Sequence, residues 1–166
     1  MKEIFSRASV RKFKEIKVEE NKVELLLRAA MAAPSAGNQQ EWEFVIVTDR
    51  ELLNKLSTTS PFTSPLKNSQ LAIVVLGNKE RMKYPENWEQ DLGAATQNIL
   101  LEAVHCGLGG VWLGIAPLEE RINKVSQVLN LPTNILPFSI VSIGYPDGDV
   151  RPQDRFNQNY IHYNGY

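Results

Sequence analysis

The sequence has little of what several classes of functional site require. Its one cysteine, Cys106, can form neither an internal disulfide nor a multi-thiolate metal site. The two histidines, His105 and His162, are too few for most zinc sites, and no His-Glu-x-x-His motif occurs. There is also no Gly-Lys dipeptide, so a phosphate loop of the Walker type is excluded. The sequence therefore offers no basis for a metalloenzyme or a P-loop protein.

An excess of one charge and a long apolar run are lacking as well. Lys and Arg number 18 and Asp and Glu number 19, so no positive field exists to gather nucleic acid or to coat an anionic membrane. The longest aliphatic run, Leu71 to Leu76, is about a third of a membrane span. The start, Met1 to Phe13, is charged and lacks the apolar stretch of a secretory signal. We expect one domain over residues 1–166, cytoplasmic, with no nucleic-acid or membrane partner.

Hydrophobic periodicity predicts four helices and four strands. The helices cover about residues 18–33, 49–56, 88–106 and 118–129, and the strands about 43–48, 70–77, 110–115 and 137–144. Asp49 is expected to cap the second helix and Gly107 to end the third. Residues 57–69 and 78–87 are expected to be loops, the second of them mobile, and the aromatic tail after residue 145 is expected to pack across an already folded surface. This order predicts an α+β or three-layer α/β fold.

Two features begin like catalytic motifs without meeting their requirements. His105 and Cys106 are adjacent on a helix and point about 100° apart, so they do not form a nucleophile pair. The stretch from Gly107 to Trp112 begins like a dinucleotide fingerprint but has tryptophan in place of the third glycine, and it follows a helix instead of a strand. Redox chemistry in this chain would therefore have to come from a bound organic cofactor.

Three polar segments are candidates for holding such a cofactor. Arg7-Ala8-Ser9-Val10-Arg11-Lys12-Phe13 places a hydroxyl between two guanidinium groups, a combination that binds phosphate monoesters. Pro34-Ser35-Ala36-Gly37-Asn38 is a loop of amides and hydroxyls that can follow the polar edge of a planar heterocycle. The glycines of residues 107–114 let the backbone approach a flat ring, and Arg155 adds a late cation. Taken singly, each segment is also typical of a solvated face or an ordinary connection.

Taken together and in this order, these segments resemble the FMN-dependent nitroreductase family, and the resemblance covers nearly the whole chain. Its strongest parts are residues 7–13, 33–42 and 107–114, and residues 155–164 resemble the tail of the family's compact members. The resemblance implies a three-layer α/β/α fold whose central sheet is mixed and mainly antiparallel. It also implies a homodimer with two FMN sites at the subunit interface, in which the C-terminal segment extends onto the partner.

The resemblance also implies a role for each candidate residue at the FMN site. Arg7 and Ser9, with Ala8 between them, would hold the FMN phosphate together with Arg155. Arg11 would lie nearer the ribityl chain and the N1/C2 edge, where a cation stabilises the charge that reduction creates. Pro34, Ser35, Ala36 and Asn38 would contact the flavin from the partner subunit, and Leu113 and Gly114 would supply main-chain contacts near its reactive edge.

The activity implied is that of an oxidoreductase with ping-pong chemistry. NADH or NADPH would reduce the bound FMN, and a nitroaromatic, quinone or similar acceptor would then be reduced over the same ring face, with no protein nucleophile. The alternatives are other flavin chemistry on this fold, such as dehalogenation or flavin breakdown, and a non-enzymatic dimeric FMN-binding module.

Two departures from the family's pattern bear on this interpretation. Glu41 stands before Trp42, where the family's loop usually has proline. The chain also lacks the helical insertions of larger members, so only residues 78–87 are available as a partial lid. Phe62, Tyr84 and Trp88 are the candidates for the substrate side, and an ordinary packing role is the alternative for each.

Overall fold

The computed structural model describes residues 2–166, in which five α-helices surround a four-stranded sheet. The helices are α1 (Lys2–Ser6), α2 (Glu20–Met31), α3 (Arg50–Leu56), α4 (Trp88–His105) and α5 (Glu119–Leu129), and the strands are β1 (Trp42–Val47), β2 (Leu71–Asn78), β3 (Gly109–Gly114) and β4 (Ile135–Gly144). All eight predicted elements are confirmed, with ends shifted by a few residues. Helix α1 was not predicted because its five residues are too few to display a helical period.

The sheet has the strand order β1-β2-β4-β3, and its three strand pairs are antiparallel. A single parallel bridge, between Ser9 and Gly110, adds the N-terminal segment to the outer edge of β3. The predicted mixed and mainly antiparallel sheet is therefore confirmed. Strand β2 lies at the centre and is buried along almost its whole length, as its continuous apolar run predicts.

Hydrophobic residues cover both faces of the sheet, which produces the predicted three layers. Alternate residues of β2 point to opposite faces because side chains alternate along a strand. Leu71, Ile73 and Val75 pack with α2 and α4, whereas Ala72, Val74 and Leu76 pack with α3 and α5. The most deeply buried helical partners are Leu26, Ala30, Leu92 and Ile99 on the first face and Leu53, Leu56 and Val125 on the second.

Local signals set the ends of the helices that matter most for the site. The Asp49 carboxylate accepts a hydrogen bond from the Leu52 N–H at 2.8 Å, which confirms the predicted cap of α3. Gly107, with φ of +73°, ends α4, and the Leu108 N–H donates to the Ala103 carbonyl at 2.7 Å. This left-handed turn delivers the chain from α4 directly into β3.

Both ends of the chain meet beside β3. The Val10 N–H donates to the Gly110 carbonyl at 3.0 Å, and the Asp147 N–H donates to the Lys12 carbonyl at 3.0 Å. Phe13 forms an antiparallel bridge with Pro146 just after β4. The segment from residue 7 to 14 therefore lies between the edge of β3 and the start of the C-terminal segment.

The C-terminal segment itself does not pack on the core of its own chain. Every residue from 147 to 166 is exposed. The rings of Phe156, Tyr160 and Tyr163 are 78%, 80% and 84% exposed, so the surface that the sequence analysis expected beneath this tail is not supplied by the same chain. None of the helices in residues 2–166 is long and apolar enough to cross a membrane.

Candidate functional site

The predicted phosphate-binding residues line one cleft. Arg7, Ser9 and Arg11 alternate along the segment that pairs with β3, and Arg155 approaches from the C-terminal segment. The cleft measures about 260 Å³ and also contains Arg151. We call it the arginine cleft. Residues from opposite ends of the sequence thus come together as the sequence analysis predicted.

The lining of the arginine cleft is strongly cationic. Ala8 and Gln153 complete it, and the residues described there include four guanidinium groups and no carboxylate. Arg155 Nη2 donates to Gln153 Oε1 at 3.1 Å, which uses one of the guanidinium's N–H groups and leaves others for a ligand. Four like charges around one small space repel each other, so the cleft is suited to an anion with several oxygen acceptors.

Arg151 was not singled out as a site residue by sequence reasoning. Its nearest carboxylate is Asp149, whose Oδ2 lies 3.8 Å from Arg151 Nη2, outside the lining of the arginine cleft. Its position four residues before Arg155, in the same polar segment after the last strand, could have indicated that it belongs to the site.

The predicted loop after α2 forms a compact turn that is hydrogen-bonded to α4. The Ala36 N–H donates to Asp91 Oδ2 at 2.9 Å, and the Gln40 N–H donates to Ser35 Oγ at 3.1 Å. Gly37, Asn38 and Gln40 all have positive φ values, of 53°, 53° and 49°. The left-handed region costs a non-glycine residue roughly 1–2 kcal/mol, so this conformation needs support from outside the loop. We refer to residues 34–40 as the 34–40 loop.

That support comes from a buried polar cluster at the base of the loop. Gln39 Nε2 donates to Asp91 Oδ2 at 2.8 Å and lies 3.2 Å from Glu41 Oε1. The Tyr84 N–H donates to Gln39 Oε1 at 2.9 Å. Gln39, Glu41 and Asp91 are all buried, and Glu41 is completely inaccessible. Burial raises the pKa of the Glu41 carboxyl, and the charge of Asp91 raises it further.

The glycines of residues 107–114 were predicted to let the backbone approach a flat ring, but the structure shows another role for Gly109. A Cβ at Gly109 would lie 2.6 Å from Val10 Cγ2, so this glycine admits the N-terminal segment, not a flat ring. Only at Gly114 is the space around the missing side chain open, among the glycines of β3. The side chain of Leu113 is buried in the α3/α5 face, which leaves its main chain for the predicted contact.

The two halves of the predicted site do not meet within one chain. The clefts that contain Arg7, Ser9 and Arg11 include none of residues 34–38. Pro34, Ser35, Ala36 and Asn38 instead lie together at the opposite end of α2 from its N-terminus, against α4. A ligand touching both halves would therefore have to extend beyond the arginine cleft.

The substrate-side candidates have packing roles in this structure. The ring of Tyr84 covers Gly37, and Trp88 packs edge-on against Phe138 with ring centroids 5.8 Å apart. Phe62 is 65% exposed and stacks on the Arg121 guanidinium at 5.2 Å from the ring centroid. Residues 79–81 and 85–87 form 3₁₀ turns, and the mobility expected of this segment stays a prediction.

His105 and Cys106 do not form a reactive pair. The imidazole Nδ1 of His105 lies 3.5 Å from Glu3 Oε1 on α1. Cys106 packs against the α2/α4 face, and burial raises the pKa of its thiol. A thiol with a raised pKa is a poor nucleophile at neutral pH.

Comparison with known proteins identifies the family. The Nitroreductase family profile matches residues 4–61 and 62–145. The chain belongs to the Nitroreductase family. A protein of Archaeoglobus fulgidus that carries the name "Putative NADH dehydrogenase/NAD(P)H nitroreductase" is 45% identical over 166 residues, which cover 98% of this chain and 95% of that protein.

Solved structures of other family members share the fold closely. A crystal structure from Clostridium acetobutylicum superposes with a TM-score of 0.97 at 50% identity and covers 99% of both chains. The FMN-dependent nitroreductase of Clostridium difficile R20291 superposes with a TM-score of 0.92 at 30% identity, over 100% of both chains. The nitroreductase fold predicted from the sequence is therefore confirmed.

The packing of Tyr84 on Gly37 predicts that Gly37→Ala destabilises the protein for two reasons. The left-handed backbone costs about 1–2 kcal/mol, and the new Cβ overlaps the Tyr84 ring. Gly107→Ala is the matched control, because its φ is also positive but no atom lies within 4 Å of the added Cβ. Unfolding by denaturant should show a larger loss of free energy for Gly37→Ala, and Tyr84→Ala should remove the difference. Equal losses would contradict a supporting role for Tyr84.

Proposed function

We propose that this protein is an NAD(P)H-dependent FMN oxidoreductase that reduces a nitroaromatic, a quinone or a similar acceptor. The observation that carries this proposal is the arginine cleft, where cations from both ends of the chain surround one space of about 260 Å³, large enough to admit a phosphate group. Family membership supports it, as do the relatives whose names specify NAD(P)H nitroreductase and FMN-dependent nitroreductase.

The residues of the arginine cleft fit the phosphate end of FMN. A phosphate monoester offers three acceptor oxygens, and arginine forks match such oxygens two at a time. Arg7, Ser9 and Arg155 would hold this group, and Arg151 is positioned to join them. Arg11, two residues beyond Ser9 on the same side of the segment, would lie toward the ribityl chain and the N1/C2 edge of the ring.

When bound, FMN supplies the redox chemistry, accepting a hydride from a nicotinamide and passing electrons to the acceptor. The protein's part is to bind, orient and stabilise charge. A fixed guanidinium at Arg11 would favour the negative charge that reduction places near N1. Main-chain groups of Leu113 and Gly114 would meet the ring beside β3, where the open space at Gly114 allows close approach.

The same proposal requires two copies of the chain. Pro34, Ser35, Ala36 and Asn38 would reach the flavin from the partner, because they do not share a cleft with the arginines of their own chain. The exposed rings of the C-terminal segment supply the apolar surface for such an assembly. A two-fold dimer satisfies both conditions with one interface.

We place this protein in the cytoplasm, as its composition predicts.

Anaerobic titration tests the activity. The purified protein loaded with FMN should lose its flavin absorbance on addition of NADH or NADPH and regain it with a quinone or a nitroarene. Flavin that stays oxidised with both nicotinamides would overturn the oxidoreductase proposal and favour a binding module. Turnover of another acceptor far above that of quinones would favour different chemistry on the same fold.

Removal of one phosphate-binding cation should weaken FMN binding selectively. Arg155→Ala is expected to raise the FMN dissociation constant by about one to two orders of magnitude, because one charge-assisted hydrogen bond contributes ~1.5–3 kcal/mol. Riboflavin lacks the phosphate and should bind to variant and parent alike, as measured by fluorescence quenching. Lys124→Ala is the control, since it removes a cation that pairs with Glu120 on α5, away from the cleft. An equal loss for both ligands would show that Arg155 supports the fold.

The exposed tail predicts how the assembly can be weakened. A double substitution, Phe156→Ser with Tyr160→Ser, should shift the protein toward a single subunit in light scattering, while the unfolding free energy of the subunit stays unchanged because both rings are exposed. Parent protein that carries FMN at the mass of one subunit would contradict the shared site.

A further inference from the structure

Glu41 is a buried carboxyl group for which the chemistry described above has no use. Its side chain is completely inaccessible, whereas glutamate is among the residues least often found fully buried. Its Oε2 atom is buried and has no hydrogen-bond partner among the described residues. A buried polar atom without a partner is costly, so this oxygen requires an explanation.

The number of hydrogen-bond donors around the carboxyl groups of Glu41 and Asp91 explains this unpaired oxygen. Gln39 Nε2 has two N–H groups and three acceptors around it: Asp91 Oδ2 at 2.8 Å, Glu41 Oε1 at 3.2 Å and the Tyr84 carbonyl at 3.4 Å. Asp91 Oδ2 also accepts from the Ala36 N–H. If both carboxyls were ionised, two buried negative charges would share one amide and Glu41 Oε2 would stay unsatisfied. A proton on Glu41 removes one of these charges and provides a donor for the carboxylate of Asp91, with which Glu41 shares the Gln39 amide.

The surroundings determine which carboxyl keeps the proton. Asp91 lies in the first turn of the 18-residue helix α4, where the helix dipole favours a negative charge. It also receives two hydrogen bonds from N–H groups, which stabilise the ionised form. Glu41 has the shared Gln39 amide and a backbone hydrogen bond within its own residue, but it does not lie at a helix terminus. These surroundings favour Glu41 as the carboxyl that carries the proton.

We propose that Glu41 and Asp91 share one proton, and that this carboxyl pair is the positioning element that holds the 34–40 loop in its cofactor-contacting conformation. Asp91 Oδ2 accepts hydrogen bonds from the Ala36 N–H and from Gln39 Nε2, so the pair contacts the loop at two separate points. Gly37 and Asn38 lie between Ala36 and Gln39, and Gln40 follows Gln39; all three have positive φ values. The coupling to the flavin rests on the proposed function, whereas the sharing of the proton does not.

The other titratable groups around the pair belong to neighbouring elements. Tyr84, in the segment before α4, contributes its backbone N–H to Gln39 and its ring to Gly37. Glu43 on β1 forms an ion pair with Arg81 at 2.6 Å and is partly exposed. Among the described residues, Asp91 is the charged group that acts on the Glu41 carboxyl.

The direction of the pH dependence follows from the raised pKa of Glu41. A carboxyl group that binds its proton more tightly in the folded chain contributes stability fully at pH below its ordinary value, 4.5. That contribution is lost as the pH rises through the raised pKa. Loss of the proton leaves two buried carboxylates, so the loop should release at alkaline pH and not at acid pH.

The sharing of the proton is tested on the ligand-free protein. Carbon NMR of protein labelled in its glutamate carboxyls should show one glutamate that titrates above the ordinary value of 4.5. Glu41→Gln should remove that signal, and Asp91→Asn should move it to lower pH by removing the neighbouring charge. A Glu41 carboxyl that titrates at or below its ordinary value would overturn the proposal.

The positioning role is tested by FMN affinity from about pH 5 to about pH 9. The dissociation constant of the parent should rise by up to about tenfold for each pH unit above the pKa of the pair, because only the protonated form holds the loop. Glu41→Gln should lose this rise of the FMN dissociation constant at alkaline pH, because a neutral amide donates to Asp91 at every pH. Glu43→Gln, the same change two residues along β1, is the matched control and should follow the parent.

The outcomes separate the two proposals. A parent that binds no FMN at any pH contradicts the proposed function, and the NMR titration still decides the sharing of the proton. A high-titrating Glu41 together with pH-independent FMN affinity would overturn the positioning role. The same holds if Glu41→Gln retains the pH profile of the parent. Should Glu41→Gln not fold, Asp91→Asn carries the same comparison, because loss of the Glu41 proton then leaves one buried carboxylate instead of two, and its FMN dissociation constant should not show the alkaline rise of the parent.

Discussion

The pairing of residues 7–14 with the edge of β3 is the interaction on which the proposed site depends. The bridge from Ser9 to Gly110 and the hydrogen bond from the Val10 N–H to the Gly110 carbonyl define this pairing, and the hydrogen bond from the Asp147 N–H to the Lys12 carbonyl joins the same segment to the chain after β4. Without them the N-terminal cations would have no fixed relation to the segment after β4. Gly109 permits the contact, since any side chain there would collide with Val10. The glycine-rich strand therefore serves the phosphate end of the site through the chain that it accommodates.

Much of the fold could be predicted because local patterns and the tertiary structure agree. The apolar run of β2 required burial on both faces, and the structure provides a hydrophobic cluster on each. Asp49 and Gly107 act where their chemistry places them. The short helix α1 could not be predicted, because it owes its place to packing against α4 and not to a pattern of its own.

The candidate site likewise has a part that could be predicted from the sequence and a part that could not. Sequence reasoning identified Arg7, Ser9, Arg11 and Arg155, because arginines beside a hydroxyl carry their chemistry in the side chain itself. The cluster at the base of the 34–40 loop was missed, since Gln39 and Asp91 are 52 positions apart and only the fold brings them together. Propensity also assigns glutamate to the surface, so the burial of Glu41 had no local signal beyond its place in a loop where the family usually has proline.

The arginine cleft and the base of the 34–40 loop differ in their access to solvent, and this difference determines how much charge each can hold. The arginine cleft is open to solvent, where like charges are screened and an anion can enter to neutralise them. The base of the loop is closed, so a second buried charge would cost several kcal/mol with no counterion to offset it. A proton shared by Glu41 and Asp91, as proposed above, removes that second charge without a separate counterion. The loop can then keep a polar, hydrogen-bonded foundation while the charge it carries into the interior is limited to that of Asp91.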